Sequence, residues 1–302
     1  MAGDPQAPLK ALEPKHEFFI GIDSDGCAFD TMEIKHKECF CPNFIDHFHC
    51  QAVSKYTRDA WDFVNLYSKW RGCNRWQAVV RVLDLLHDRD EVKRRHAKIT
   101  EGKAIKEFAR SNKVLSNDTL KEAIARAHDP AAKKELEEAL AWSKAVNESI
   151  AKMVHDVPPF PFVRECLEKA FKKADMIVVS QTPTEALVRE WKEHRIEGHV
   201  SLIAGQEMGS KSEHIQFAAG GKYPPSKILM IGDAPGDLKA ARDNSALFFP
   251  IDPGSEDASW QVLFEEGLDR FFAGTYAGAY EKRLVEQFDR LLPERPPWKK
   301  KG

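Results

Sequence analysis

The sequence predicts an α/β fold, an open and mostly parallel sheet flanked by helices and interrupted once by a long all-helical insertion. Three observations predict it. Short apolar runs recur and close on a carboxylate or a hydroxyl, as strands buried on both faces do. Segments of helical periodicity separate these runs, so strand and helix alternate along the chain. Residues 33–156 carry almost no strand signal, which marks them as an insertion between the first strand and the rest.

Residues 18–23, FFIGID, leave no room for a helix and end on a carboxylate followed by Gly26. They read as a buried parallel strand, and ligands bind at the C-terminal ends of such strands. In the insertion, residues 61–70 and 77–87 are amphipathic, Ser116 with Asn117 and Asp118 is a capping signal before Leu120, and Pro130 suits the first position of a long helix reaching Val154. Residues 157–162, VPPFPF, are stiff extended chain and a candidate hinge. A helix follows over 163–174, a strand over 176–180, a helix over 183–194 and a strand over 200–204. A helix over 210–219, a strand over 227–233, a helix over 235–243 and a last strand over 246–251 complete the alternation. Residues 258–292 are helical again, and the basic, Pro-rich residues 293–302 are expected to be disordered. The expected domains are residues 1–34 with 158–302, and residues 35–157.

A chain of 302 residues has room for a core and a second domain. Hydrophobic residues at 42% and charged residues at 30% exclude wholesale disorder and collagen-like or coiled-coil chains. With 45 basic and 47 acidic residues the net charge is -2, so no global field attracts nucleic acid or an anionic membrane, and an anionic ligand has to be held locally. No apolar run approaches the roughly 18 residues of a spanning helix. Residues 1–17 lack the apolar core of a signal peptide, and a cytoplasmic protein is expected. Cys27, Cys39, Cys41, Cys50, Cys73 and Cys166 read as reduced thiols rather than a disulfide framework.

Asp23-Ser24-Asp25-Gly26 sets two carboxylates two residues apart at a strand end, one able to attack and one to move protons, ahead of a glycine that lets the chain turn. Ser180 closes another strand. Lys211 follows Gly209 and Ser210 at a helix start, which favours it over Lys222 and Lys227. Gly232-Asp233-Ala234-Pro235-Gly236-Asp237 places two more carboxylates at a further strand end. Singly, Asp25 and Asp237 read as turn or helix-cap residues and Ser180 as a strand-end cap. In order, each at its own strand end, they read as one site.

This set resembles the haloacid dehalogenase (HAD) superfamily. Residues 23–31, DSDGCAFDT, are similar to its motif I, Ser180 to motif II, Lys211 to motif III, and residues 232–237 to the GDxxxD form of motif IV. The resemblance implies a Rossmann-like parallel-sheet HAD core with an inserted all-helical cap domain of the C1 type, larger than the common four-helix version. It implies a magnesium-dependent phosphomonoester hydrolase acting on a small phosphorylated metabolite, with Asp23 forming an aspartyl-phosphate and Asp25 as general acid/base. Ser180 would hydrogen-bond the phosphoryl group and Lys211 would neutralise the crowded carboxylates. Mg2+ would be held by Asp23, Asp233 and the Asp25 carbonyl, with Asp237 holding a metal-bound water or Lys211. The physics fits, because an anionic ester needs an in-line nucleophile and positive charge on its oxygens, and magnesium prefers oxygen ligands.

Cys27 and Gln181 depart from the usual residues at their positions without removing a charge, and Asp25 disfavours dehalogenase or phosphonatase chemistry, whose resembling members lack a carboxylate there. Two alternatives stand beside the hydrolase. One is a phosphosugar mutase, which carries a cap histidine where this chain has Lys35, with His36 one step on. The other is a catalytically silent HAD-fold binding protein, against which the intact charged positions argue.

In the insertion, Cys39, Cys41, His47, His49 and Cys50 resemble a metal cluster, but their spacing is narrower than usual for zinc and Pro42 breaks a common helix face, so packed thiols are expected. Residues 93–98 are basic without interleaved aromatics and read as a solvated helix face. Lys35 and His36 follow the motif I turn, and Arg71 and Arg75 flank a turn with Asn74 and Trp76. These four are candidate substrate-binding residues, since guanidinium forks suit carboxylate or phosphate; the other reading of the arginines is a helix cap with surface charge.

Overall fold

A computed structural model describes residues 4–111 and 114–299. Two compact units divide the chain between Met32 and Glu33, between His155 and Asp156, and between Leu292 and Pro293.

The first unit is built on a five-stranded parallel sheet: β1 (Phe18–Ile22), β2 (Ala174–Val179), β3 (Leu202–Ala204), β4 (Ile228–Gly232) and β5 (Leu247–Pro250), in the order β3-β2-β1-β4-β5. Central β1 pairs with β2 on one side and β4 on the other, so the strand order reverses there and a crevice opens at its C-terminal end. Alternate residues feed opposite faces. Ile20, Ile22, Met176, Val178, Leu229 and Ile231 pack with Trp191 and Trp260 on one face; Phe19, Ile177, Val179, Met230 and Phe248 pack with Ile215 and Ala218 on the other. Two covered faces explain the unbroken apolar runs, and each such side chain contributes roughly 1.5–3 kcal/mol on burial.

Two boundaries differ from expectation. The helix expected over 163–174 is Val163–Ala170, because Ala174 already opens β2. The strand expected over 200–204 is Leu202–Ala204, since a single turn, Glu197–His199, precedes it. Residues 258–292 form one helix that runs through Glu256–Val262, the π-helical Leu263–Gly267 and Leu268–Phe272, and then the helix Ala279–Leu291. The proline-rich segment is fastened to the motif I turn, with Phe160 N–H donating to the Ala28 carbonyl at 2.9 Å and Pro159 bridging Phe29.

The second unit is helical, with no strand among its described residues. Its main helices are Ser54–Asn65, Arg75–Asp88, Lys103–Ser111, Asn117–Arg126 and Pro130–Met153. Ser116 closes a capping box and Asp129 caps the long helix ahead of Pro130. The amphipathic stretch expected over 61–70 stops at Asn65, where Asn65 Nδ2 and Ser68 Oγ donate to the carbonyls of Trp61 and Val64 at 2.9 and 3.2 Å. Trp142 centres the core, its ring meeting those of Phe40, Phe44, Phe48, Trp61 and Trp76.

Pro42 sits where the π-helical residues Lys35–Phe40 pass into the helix Cys41–His47. One further expectation is corrected. Residues 293–299 are neither disordered nor part of the sheet unit. Trp298 packs edge-on to Phe63 at 5.7 Å, the Arg89 guanidinium lies 4.4 Å from the Trp298 ring centroid, and Lys299 pairs with Asp88, so this segment belongs to the helical unit. Cys39, Cys41 and Cys50 are buried thiols, and all six cysteines are free. Among the described residues no helix is long and apolar enough to cross a membrane.

Candidate active site

Every core residue singled out in the sequence lies at or just beyond the C-terminal end of a strand or at the start of the helix that follows one. The turn after β1 is tightly built. The Ser24 carbonyl accepts N–H groups from Cys27, Ala28 and Phe29 at 2.9–3.3 Å, Gly26 takes a left-handed φ of 76°, and Trp260 Nε1 donates to the Cys27 carbonyl at 2.7 Å. Asp23 N–H donates to Ile231 of β4 at 3.0 Å, which brings the ends of β1 and β4 together. After β4, a Cβ at Gly232 would lie 2.3 Å from the Cβ of Asp237, so only glycine lets the next helix, Pro235–Asp243, approach this closely.

The result is a cluster of Asp23, Asp233 and Asp237, whose carboxylate oxygens lie within 4.8 Å of one another. They are 4%, 1% and 0% exposed. Lys211 Nζ sits 2.8 Å from Asp23 Oδ2 and 2.7 Å from Asp237 Oδ1. The other oxygens of these two carboxylates accept backbone N–H groups, from Ser24 at 2.8 Å and from Ala234 at 3.0 Å. Lys211 opens the helix Lys211–Ala219, capped by Ser210, so its charge sits near the positive end of a helix dipole and depends on the two carboxylates.

Burial, with the neighbouring Asp237 and Asp233, pushes Asp23 well above the usual carboxylate range despite Lys211, and burial and Asp233 raise Asp237 in the same way. Burial alone would lower Lys211, yet Asp23 and Asp237 carry it above its ordinary value. Both directions have one cause: three buried carboxylates lie together in a low-dielectric site with one ammonium, which contacts Asp23 and Asp237. Oxygen donors with excess negative charge fit a hard divalent cation such as magnesium.

Asp25 is held differently. Its carboxylate is not in the cluster but accepts hydrogen bonds from Thr31 Oγ1 and Thr182 Oγ1, each at 2.5 Å. Ser180 stands just past β2, its Oγ accepting the Thr182 N–H at 3.2 Å. Lys222 and Lys227, the other candidates for the site lysine, lie elsewhere. Lys222 Nζ donates to the carbonyls of Leu9, Lys10, Leu12 and Phe217, and Lys227 pairs with Glu17. Cys27 is buried, and burial next to these carboxylates raises its thiol well above the usual range, which disfavours the thiolate.

Sequence reasoning missed Thr182 and the support of Ser24, whose Oγ donates to Glu190 at 3.1 Å and accepts from Trp191 Nε1 at 3.0 Å. A hydroxyl residue two places after Ser180 was the available signal for Thr182.

Of the helical-unit candidates, His36 and Arg75 come together and Arg71 does not. His36 stacks on Phe40 at 4.7 Å and accepts Trp61 Nε1 at 3.2 Å through Nδ1, while the Arg75 guanidinium lies 5.1 Å from the Phe40 centroid. Arg75 Nη1 donates to Ser143 Oγ at 2.8 Å and Asn147 Oδ1 at 2.9 Å, and burial lowers Arg75 to about 10. Lys35 precedes His36 on the same turn, Lys35–Phe40. Arg71, a substrate-binding candidate whose other reading is a surface charge, is 4% exposed, and its Nη1 donates to the Leu66 carbonyl at 2.9 Å within its own turn.

No family model and no curated protein matches the sequence. Solved structures resemble it over most of its length. A protein described as a phosphoglycolate phosphatase from Lactobacillus delbrueckii is 13% identical, covering 85% of this chain and 98% of its own, with a TM-score of 0.48. A haloacid dehalogenase-like family hydrolase from Streptococcus pneumoniae is 15% identical (81% and 90% covered, TM-score 0.42), and CbbY from Rhodobacter sphaeroides, in complex with phosphate, is 16% identical (79% and 87%, TM-score 0.42). At such low identities the chemistry has to be read from the side chains above.

Proposed function

We propose that this chain is a HAD-type phosphomonoester hydrolase that uses Asp23 as nucleophile, Asp25 as general acid/base and Mg2+ as cofactor, on a small phosphorylated metabolite. The observation that carries the reading is the cluster of three buried carboxylates, Asp23, Asp233 and Asp237, with Lys211 paired to Asp23 and Asp237. Asp23, Asp233 and the Asp25 carbonyl would hold the ion, which supplies the positive charge that the phosphoryl oxygens need.

The residues divide the remaining work. Lys211 and the Ser24 N–H fix the Asp23 carboxylate for in-line attack, forming the aspartyl-phosphate as the ester oxygen leaves. Asp25 gives the leaving oxygen its proton and later takes one from the water that releases phosphate. The Ser180 hydroxyl donates to the phosphoryl group. Asp237 orients Lys211 through its 2.7 Å contact. In the helical unit, Lys35, His36 and Arg75 are proposed to read the rest of the substrate; Arg75 has no carboxylate partner among the described residues, which leaves its charge available to an anionic group.

Purified protein with Mg2+ and a panel of phosphorylated metabolites is the test. Phosphate release that chelation of the metal abolishes supports the reading. Interconversion of hexose phosphates without release would make the protein a mutase, and inactivity of well-folded protein across the panel would make it a binding protein. Arg75→Ala is expected to weaken the best substrate about tenfold or more while largely sparing p-nitrophenyl phosphate.

A further inference from the structure

Both oxygens of the Asp25 carboxylate meet a threonine hydroxyl, and the two threonines come from different places. Thr31 lies just beyond the turn that carries Asp25, whereas Thr182 reaches across from the loop after β2. The Thr182 contact therefore ties the proton-moving group to the end of a neighbouring strand.

The question is which partner positions the other. Thr182 is fixed from several sides. Its N–H donates to Ser180 Oγ at 3.2 Å and its carbonyl accepts Gln206 N–H at 3.1 Å. On either side of it, Gln181 Nε2 donates to the Gly209 carbonyl at 2.9 Å, and Thr184 donates its N–H and Oγ1 to Glu207 Oε2 at 3.0 and 2.8 Å. The loop is thus clamped to the segment between β3 and the helix Lys211–Ala219. Threonine is also stiff at χ1, so a fixed backbone fixes the hydroxyl. Asp25, in contrast, is partly buried at a turn, and its carboxylate is set by two side-chain torsions that its own backbone does not fix. A hydroxyl both donates and accepts, so it holds a carboxylate or a carboxylic acid in the same place without moving a heavy atom.

We infer that Thr182 is a positioning residue that aims the Asp25 carboxyl group at the ester oxygen. The inference rests on the hydrolase reading above and extends it to a residue outside the four motifs.

Kinetics with two aryl phosphates and Mg2+ test it. Proton donation matters more for phenyl phosphate, whose leaving oxygen is basic, than for p-nitrophenyl phosphate, and kcat/KM reports attack on the ester. Thr182→Val, nearly isosteric, is expected to lower kcat/KM for phenyl phosphate about tenfold, with a clearly smaller loss for p-nitrophenyl phosphate. Thr182→Ala should give the same pattern if the valine variant misfolds, and Thr182→Ser should restore wild-type discrimination. In an Asp25→Asn background Thr182→Val should add nothing, since the two act as one unit. Equal fractional losses on both esters, or additive losses with Asp25→Asn, overturn the inference and leave the hydrolase reading standing. Wild-type protein that releases phosphate from neither ester overturns the hydrolase reading, and the role of Thr182 with it.

Discussion

In the sheet unit three buried carboxylates lie together beside one lysine, whereas in the helical unit the guanidinium groups of Arg75 and Arg89 lie against aromatic rings. Asp23 and Asp233 follow strand ends whose backbone is fixed by the ladder, Asp237 lies on the next helix, and Lys211 bridges Asp23 and Asp237. Arg75 lies over Phe40 and bonds Ser143 and Asn147; Arg89 lies between Tyr56 and Trp298 with Asp59 at 2.9 Å. One unit concentrates negative charge around a single lysine; the other sets guanidinium groups against aromatic faces.

The largest expected effect breaks the first half of that contrast. Asp23→Asn keeps the side-chain volume and removes both the nucleophile and one of three like charges, so turnover should fall by about 10⁴-fold or more while the melting temperature holds or rises. Measurable turnover beyond a trace would remove the covalent step. Trp142→Ala addresses the second unit. Emptying the centre of its aromatic core should cost about 3–5 kcal/mol, read by denaturant unfolding, with hydrogen exchange showing β1 and β4 still protected. Equal loss of protection in both units would mean that they do not stand on separate cores.

A smaller effect concerns His214, one turn along the helix from Lys211. It is fully buried, and burial with the nearby Lys211 charge lowers it to about 4. The folded state thus disfavours the proton more than the unfolded chain does. Stability from this group is complete above the ordinary value near 6.5 and is lost as pH falls toward 4, by up to about 3 kcal/mol. His214→Phe should flatten that acid limb in unfolding titrations; an unchanged limb would place its origin in other groups. The smallest effect is expected from deleting residue 293 onward, which removes the Trp298 contacts with Phe63 and Arg89 and should destabilise the helical unit by about 1–3 kcal/mol. Destabilisation of the sheet unit instead would contradict the packing of this segment.

Much of the sheet unit was legible before folding because its signals are local. An apolar run ending in Asp23 or Asp233 encodes both a buried strand and the position of its carboxylate, since parallel strands bring their C-terminal ends to one edge. Ser210 before Lys211 and Asp129 before Pro130 mark helix starts through their own capping bonds. Tertiary structure alone decided the rest. Thr182 reads as a loop hydroxyl until β2 is laid beside β1 and its Oγ1 meets Asp25. Arg71 reads as a ligand-binding or a surface charge until its turn closes over it, and Trp298 reads as part of a disordered tail until Phe63 and Arg89, distant in the chain, are assembled beneath it. Periodicity and caps are written in neighbouring residues, but which charge or ring is buried depends on contacts between segments far apart, and these exist only once the chain has folded.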